Sequence, residues 1–217
     1  MTDRRRLAGA EIPPAEACRR VVAQARAAVD AGVDLIQVRE RDLASADLAA
    51  LVTDLVAVAH GSATRVVVND RLDVALACGA HGVHLRADSM APAAARRLTP
   101  RGFLIGRSVH TPNEAKNALG ADYLIAGAVF ETISKPATTP WLGLDGLRSI
   151  VQAAGVPVLA IGGVTIDRLD DIASAGAAGI AAIGLFQPAG IASPGATSLE
   201  DLVNRVHRRF DSLRAAP

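Results

Sequence analysis

Two arginines set two residues apart, Arg39 and Arg41, close an apolar stretch that also carries Gln37 (DLIQVRER, Asp34 to Arg41). If the stretch is a strand, its side chains alternate, so Gln37 and Arg39 point the same way and Arg41 lies just beyond the end. Two converging guanidiniums can grip a diphosphate bidentately and neutralise the charge of a leaving group. A charge inside a sheet is costly without a reason, so Arg39 is expected to bind substrate; the alternative is a structural pair with Glu40 or Asp70. For Arg41 the two readings weigh equally. The next apolar stretch, RVVVND (Arg65 to Asp70), ends in Asn69-Asp70. Asp70 suits Mg²⁺, which takes one or two carboxylates together with phosphate oxygens. Asn and Asp equally suit the cap of a helix beginning at Arg71. GVHLRAD (Gly82 to Asp88) adds Asp88, open between a metal ligand and a loop or cap residue. His84 within it reads as a satisfied interior histidine rather than a catalyst.

Three further segments carry candidate chemistry. FLIGRSVH (Phe103 to His110) brings Ser108 and His110 to a strand end, where they could face the same pocket, although Ser108 also suits a helix cap. VLAIGG (Val158 to Gly163) runs into the Gly162-Gly163 turn, and Gly184 follows the last predicted strand. Glycine lets backbone N–H groups approach a phosphate closely. The long segment VFETISKPATTPWLGL after the strand near 122–126 reads as a functional lid, since loops of that length are unusual in a compact domain. Lys135 would supply its cation and Thr132 and Ser134 its hydroxyls, against the plain alternative of a solvated lysine.

These groups need elements that bring them together. Strands are expected near 34–39, 65–69, 82–85, 103–107, 122–126, 157–161 and 179–183. Helices are expected near 14–31, 45–59, 71–78, 91–98, 112–118, 143–154, 165–175 and 198–214. The glycines Gly32, Gly79, Gly120, Gly155 and Gly176 stand where a helix needs a left-handed residue before the next strand. Helix and strand in alternation imply right-handed βαβ units and a parallel sheet. The expected fold is α/β, a single (β/α)8 TIM barrel over residues 1–217, whose first strand is missing or truncated because the chain begins MTDRRR. In that fold, strand ends converge on the face where active sites are built.

Half of the 217 residues are hydrophobic and only 3% aromatic, so the core must be Ala, Val, Leu and Ile. That composition suits helices on a parallel sheet. A formal net charge of +1 gives no field to attract nucleic acid or membrane, and Arg4-Arg5-Arg6 reads as a solvated N-terminal segment. No apolar run reaches membrane-spanning length. Cys18 and Cys78 fall on predicted helices as buried filler without a disulfide, which suits a cytoplasmic protein. The partners expected are small anionic molecules, and exposed aliphatic helix faces would permit a homodimer.

The ordered series Q-x-R-x-R, V-N-D, G-V-H-L, I-G-x-S-x-H-T, T-x-S-K, L-G-L-x-G-L and I-G-G-V-T from Gln37 to Thr165 resembles the thiamine phosphate synthase and TenI superfamily. The N-terminal T-D-R is similar to the end of that family's first strand. The resemblance implies a transferase that joins hydroxymethylpyrimidine diphosphate to thiazole phosphate, releasing diphosphate and forming thiamine phosphate. It implies that Gln37, Arg39, Arg41, Asn69 and Lys135 hold the pyrimidine diphosphate, with Ser108 on the diphosphate. Arg39, Lys135 and Ser108 would be the catalytic set. Thr132 and Ser134 would touch the thiazole phosphate region, and Gly162, Gly163 and Gly184 would bind the thiazole phosphate. Asp70 and Asp88 would be the Mg²⁺ carboxylates. Synthases usually carry Lys where Arg41 stands, and a metal-binding Asp where this chain has Ser89, with Asp88 one residue early. R-E-R, G-R-S-V-H and V-F-E-T look more like TenI, a thiazole tautomerase, yet Ala128 stands where such enzymes carry a catalytic His. Tautomerase and non-catalytic thiazole or thiamine phosphate binder are the alternatives.

Overall fold

A computed structural model describes residues 1–8, 12–132, 140–187 and 198–214. Seven parallel strands form one sheet in chain order: β1 (Leu35–Val38), β2 (Arg65–Asn69), β3 (Gly82–Leu85), β4 (Leu104–Val109), β5 (Tyr123–Gly127), β6 (Val158–Ile161) and β7 (Gly179–Ala181). The helices are α1 (Arg4–Ala8), α2 (Pro14–Asp30), α3 (Ser45–Ala59), α4 (Leu72–Ala77), α5 (Pro92–Leu98), α6 (Pro112–Lys116), α7 (Gly143–Ala153), α8 (Leu169–Ser174) and α9 (Leu199–Arg214). Strand and helix alternate from β1 onward, the order of an α/β barrel, with seven strands where a closed barrel has eight. No helix among the described residues is long and apolar enough to cross a membrane.

The chain divides into two compact units. The first comprises Met1–His84, Thr99–Leu104 and Phe186–Val203. Within it β1 pairs with β2 through Gln37 opposite Val67, and β2 with β3 through Asn69 opposite His84. Val66, Val67 and Val68 are wholly buried, as expected of a parallel strand covered on both faces. In α3, Leu48, Leu51, Val52, Leu55 and Ala59 are buried at helical spacing and form the stripe by which it packs. The second unit comprises Leu85–Leu98, Ile105–Leu185 and Asn204–Pro217. There β4, β5, β6 and β7 pair in sequence, and Ile105, Leu124, Leu147, Ile150 and Ile172 form a fully buried aliphatic core. Exposed large apolar side chains among the described residues are Leu76, Met90, Leu98 and Leu119.

The glycines expected in the left-handed region are found there at Gly32, Gly79, Gly120 and Gly176. Gly155 is not: α7 ends at Ala154 in an extended conformation, so its turn into β6 needs no such residue. Cys18 and Cys78 are free and half-buried rather than buried, and Cys78 caps α4 at its C-terminus.

The N-terminus meets the expectation of a missing first strand and departs from that of a solvated arginine run at Arg4. No strand precedes β1 among the described residues, but Thr2 N–H donates to Gln37 O at 2.8 Å, and Arg39 N–H donates to Thr2 Oγ1 at 3.0 Å. A single residue thus occupies the place beside β1 that a strand end would fill. The arginine run is solvated at Arg5 and Arg6 but not at Arg4. It opens α1, and Arg4 is 6% exposed. Its guanidinium donates to Glu40 Oε2 at 3.1 Å and to both oxygens of Asp42 at 2.6 and 2.8 Å. Glu40, also 6% exposed, accepts the Arg4 backbone N–H as well. The hydrogen bond from Arg4 holds the Asp42 carboxyl down to about 2.

Removing Arg4 would leave a buried, charged Glu40, a change that typically costs about 3–5 kcal/mol. Arg4→Ala should lose about that much in denaturant unfolding, whereas Arg5→Ala, with its side chain 73% exposed, should lose less than about 1 kcal/mol. The depressed Asp42 value makes a second expectation. Its contribution is complete above the ordinary carboxylate value of 3.8 and disappears as pH falls towards about 2. The difference in Tm between wild type and Asp42→Asn should therefore close as melts are moved from neutral pH into that acid range.

Candidate active site

In the first unit, the C-terminal ends of β1 and β2 bring the first group of expected residues together. Gln37 is 4% exposed and donates its Nε2–H to Asn69 Oδ1 at 3.0 Å. This bond fixes the amide orientation of both side chains and leaves the Gln37 carbonyl and Asn69 amino groups to face other partners. Arg39, two residues on, is half-buried. Among the described residues it forms no ion pair, and Glu40, one of the two carboxylates that could have neutralised it, is taken by Arg4. Arg41 is exposed in the turn that follows β1.

Asp70 lies at the end of β2 with φ of 62°. Among the described residues it alone, apart from glycines, has a positive φ. Its neighbours enforce this: Arg71 N–H donates to Asn69 O at 2.8 Å, closing a tight turn about Asp70, while Asp70 N–H donates to His84 O at 2.9 Å. A non-glycine residue held this way costs on the order of 1–3 kcal/mol and points to a functional requirement. The capping alternative does not hold, since the N-cap of α4 is Arg71 and makes no side-chain cap bond. His84 is 2% exposed, as expected for an interior histidine.

The second unit holds the remaining described candidates. Asp88 is exposed and its carboxylate is held by Arg86 Nη2 at 2.5 Å. It therefore resembles a loop ion pair more than a metal ligand. Arg107 donates to the carbonyls of Ala87 at 2.7 Å, Ser89 at 3.3 Å and Met90 at 2.7 Å. Ser108 is half-buried on β4; it is not a cap, because Thr111 caps α6 by accepting the Glu114 N–H. His110 is exposed, with Nδ1 against Gly127 O at 2.5 Å. Thr132 is half-buried, and Ser134 and Lys135 lie outside the described residues. Among the described residues no cluster of three or more His, Cys, Asp or Glu could hold a metal.

Gly162 and Gly163 have φ of 98° and 62° and sit directly beneath the segment that follows β5. A Cβ on Gly162 would lie 2.5 Å from Ala128 Cβ, and one on Gly163 would lie 2.4 Å from Glu131 O. Val129 and Phe130 donate their N–H groups to Ile161 O and Gly162 O, which binds that segment across the turn. Arg168 stacks 4.3 Å above the Phe130 ring and donates to Gly163 O at 2.6 Å. Gly184, after β7, begins a short 3-10 turn, Gly184–Phe186.

The sequence reading took Arg4 as solvated and passed over Arg107 and Arg168. Arg107 sits inside the G-R-S-V-H segment and Arg168 in the helix start after I-G-G-V-T, so both lay within motifs already singled out. What they bind is main-chain carbonyl, for which sequence carries no marker.

A family model described as thiamine monophosphate synthase matches residues 12–186. The chain belongs to that family. It is 45% identical over 161 residues to a thiamine-phosphate synthase of Methanoregula boonei, covering 73% of this chain and 74% of the relative. It is 40% identical over 197 residues to one of Anaeromyxobacter dehalogenans, covering 90% and 85%. Among solved structures, a thiamine phosphate pyrophosphorylase from Pyrococcus furiosus superposes with a TM-score of 0.74 at 30% identity, covering 96% of this chain and 93% of that one. In this family member the double glycine serves the packing of the segment above it, whatever it also binds.

Gly163→Ala should destabilise the protein by about 1–3 kcal/mol, because it combines left-handed strain with a clash against main chain. Gly155→Ala, with an ordinary φ and nothing within 4 Å of the added Cβ, should be neutral or gain up to about 1 kcal/mol. Denaturant unfolding of the two variants beside wild type checks both.

Proposed function

We propose that the chain is a thiamine phosphate synthase, coupling hydroxymethylpyrimidine diphosphate with thiazole phosphate to give thiamine phosphate and diphosphate. The observation that carries this reading is the family match joined to the Gln37–Asn69 bond beside an Arg39 whose neighbouring carboxylate is engaged elsewhere. The reaction ionises the bond between the pyrimidine methylene and the diphosphate oxygen, after which the thiazole nitrogen attacks the carbocation. No general base is essential. The protein must align two substrates and stabilise negative charge on the leaving group.

In this scheme Gln37 and Asn69 orient the pyrimidine diphosphate, their amides already locked by their mutual hydrogen bond. Arg39 and Arg41 neutralise the diphosphate, with Ser108 and Lys135 as further donors. Thr132, Ser134, Gly162, Gly163 and Gly184 receive the thiazole phosphate. Asp70 fits Mg²⁺: a carboxylate presented from a strained turn at a strand end, with one or two such ligands sufficient. Asp88 does not fit as it stands, since Arg86 holds its carboxylate. When bound, Mg²⁺ would supply positive charge for the diphosphate oxygens. The setting is read as cytoplasmic, which two unpaired cysteines support.

Purified protein given both substrates and Mg²⁺ should release diphosphate and form thiamine phosphate; no product at saturating substrate would sink the reading. Arg39→Ala should lower kcat/KM by roughly 10–100-fold, the worth of a charge-assisted bond of about 1.5–3 kcal/mol, with Tm unchanged. Asp70→Asn keeps a residue that tolerates positive φ and removes only the charge. It should raise the Mg²⁺ concentration needed for half-maximal rate, and an unaltered Mg²⁺ titration would remove Asp70 from the metal site.

A further inference from the structure

The second unit holds a cleft of about 350 Å³ between α8 and α9, and all six residues that line it belong to that unit. Ile166 and Leu169, 7% and 5% exposed, give it an apolar floor. Asp170, Arg205, Arg208 and Arg209 give it polar walls. The three arginines stand at i, i+3 and i+4 of α9 and so share one helix face. Arg209 is committed to structure: its Nε pairs with the Asp170 carboxylate and its Nη2 donates to Asp170 O at 3.4 Å, which ties α9 to α8. That pair also neutralises the carboxylate of the lining. Arg205 is half-buried and Arg208 exposed, so the lining keeps an excess of positive charge at its α9 wall. Arg168, although it lies between Ile166 and Leu169 in sequence, is not part of the lining; it donates to Gly163 O instead. None of the six residues belongs to the candidate active site.

The lining indicates the class of ligand. Guanidiniums bind phosphate through paired hydrogen bonds and also stack on flat rings. An apolar floor beside them favours a ligand that carries a ring as well as a phosphate, and the volume falls within the range of small-molecule sites, about 300–1,000 Å³. A net charge of +1 gives nucleic acid no extended field to follow. We propose that the α8–α9 cleft is a second ligand site, which takes a small molecule carrying a phosphate or diphosphate on a flat, largely apolar ring. Arg205 and Arg208 meet the phosphate, and Ile166 and Leu169 lie under the ring. This assignment does not depend on the synthase reading.

The test titrates the full chain with ADP by calorimetry, without Mg²⁺, and repeats the titration with inorganic diphosphate and with a single-stranded oligonucleotide. Wild type should bind ADP more tightly than diphosphate, and its Tm should rise with ADP concentration. Arg205→Ala should weaken ADP binding about 10–100-fold, as loss of a charge-assisted hydrogen bond does. Arg208→Glu, at an exposed position that does not endanger the fold, should weaken it at least as much and decides the matter if Arg205→Ala does not fold. Arg39→Ala, which weakens the candidate active site, should retain the ADP binding that the two α9 variants lose. Failure of wild type to bind ADP overturns the proposal, as does wild-type affinity in Arg208→Glu. ADP binding abolished by Arg39→Ala alone belongs to the candidate active site and overturns it too. Diphosphate bound as tightly as ADP removes the role of the apolar floor and overturns the assigned class, and so does an oligonucleotide bound more tightly than either.

Discussion

The buried pair between Arg4 and Glu40 decides how the end of β1 can be used. Taking two charges out of water is unfavourable unless geometry and extra hydrogen bonds compensate. Here Glu40 receives both the guanidinium and the backbone N–H of Arg4, and Asp42 completes the guanidinium's coordination from the wetter side. Because side chains alternate along an extended chain, turning Glu40 towards α1 leaves Gln37 and Arg39 together on the other side. The short N-terminal helix thus engages Glu40, and Thr2 holds the same strand end through Gln37 O and Arg39 N–H.

In the second unit the loops after β3 and β6 are held through their main-chain carbonyl oxygens. Arg107 gathers three carbonyls of one loop, and Arg168 takes Gly163 O while its guanidinium lies on the Phe130 ring. Arginine suits this task, since its flat face stacks on an aromatic ring while its edge donates hydrogen bonds. Each fixes the course of a loop's main chain from a side chain on a neighbouring element.

Strand and helix positions were legible because parallel strands read as unbroken β-branched runs and helices as spaced aliphatic stripes; β2 and α3 match their expected bounds. That Gln37 and Asn69 stand at the ends of successive strands was legible, but the hydrogen bond between them was not. What sequence concealed were polar contacts whose partner is far along the chain or is backbone. Arg4 sits 36 residues from Glu40, and a run of three arginines looks the same whether solvated or buried. Gly155 misled for the opposite reason: a glycine at a helix end suggests a left-handed turn, yet this helix ends in extended chain. Asp88 was open between a metal ligand and a loop residue, and the sequence carried no sign that Arg86, two residues earlier, would hold its carboxylate.

Position 128 bears on the choice between the sibling chemistries. A tautomerase must carry a proton between two atoms of its substrate, and so needs a group that can hold one at that place. Ala128 is 6% exposed and packs directly over Gly162, whose missing Cβ makes room for it. No proton carrier stands at this position. Synthesis by ionisation and capture makes no such demand. It asks for cations aimed at a leaving diphosphate and for two substrates held in order, and a buried alanine at position 128 is compatible with both.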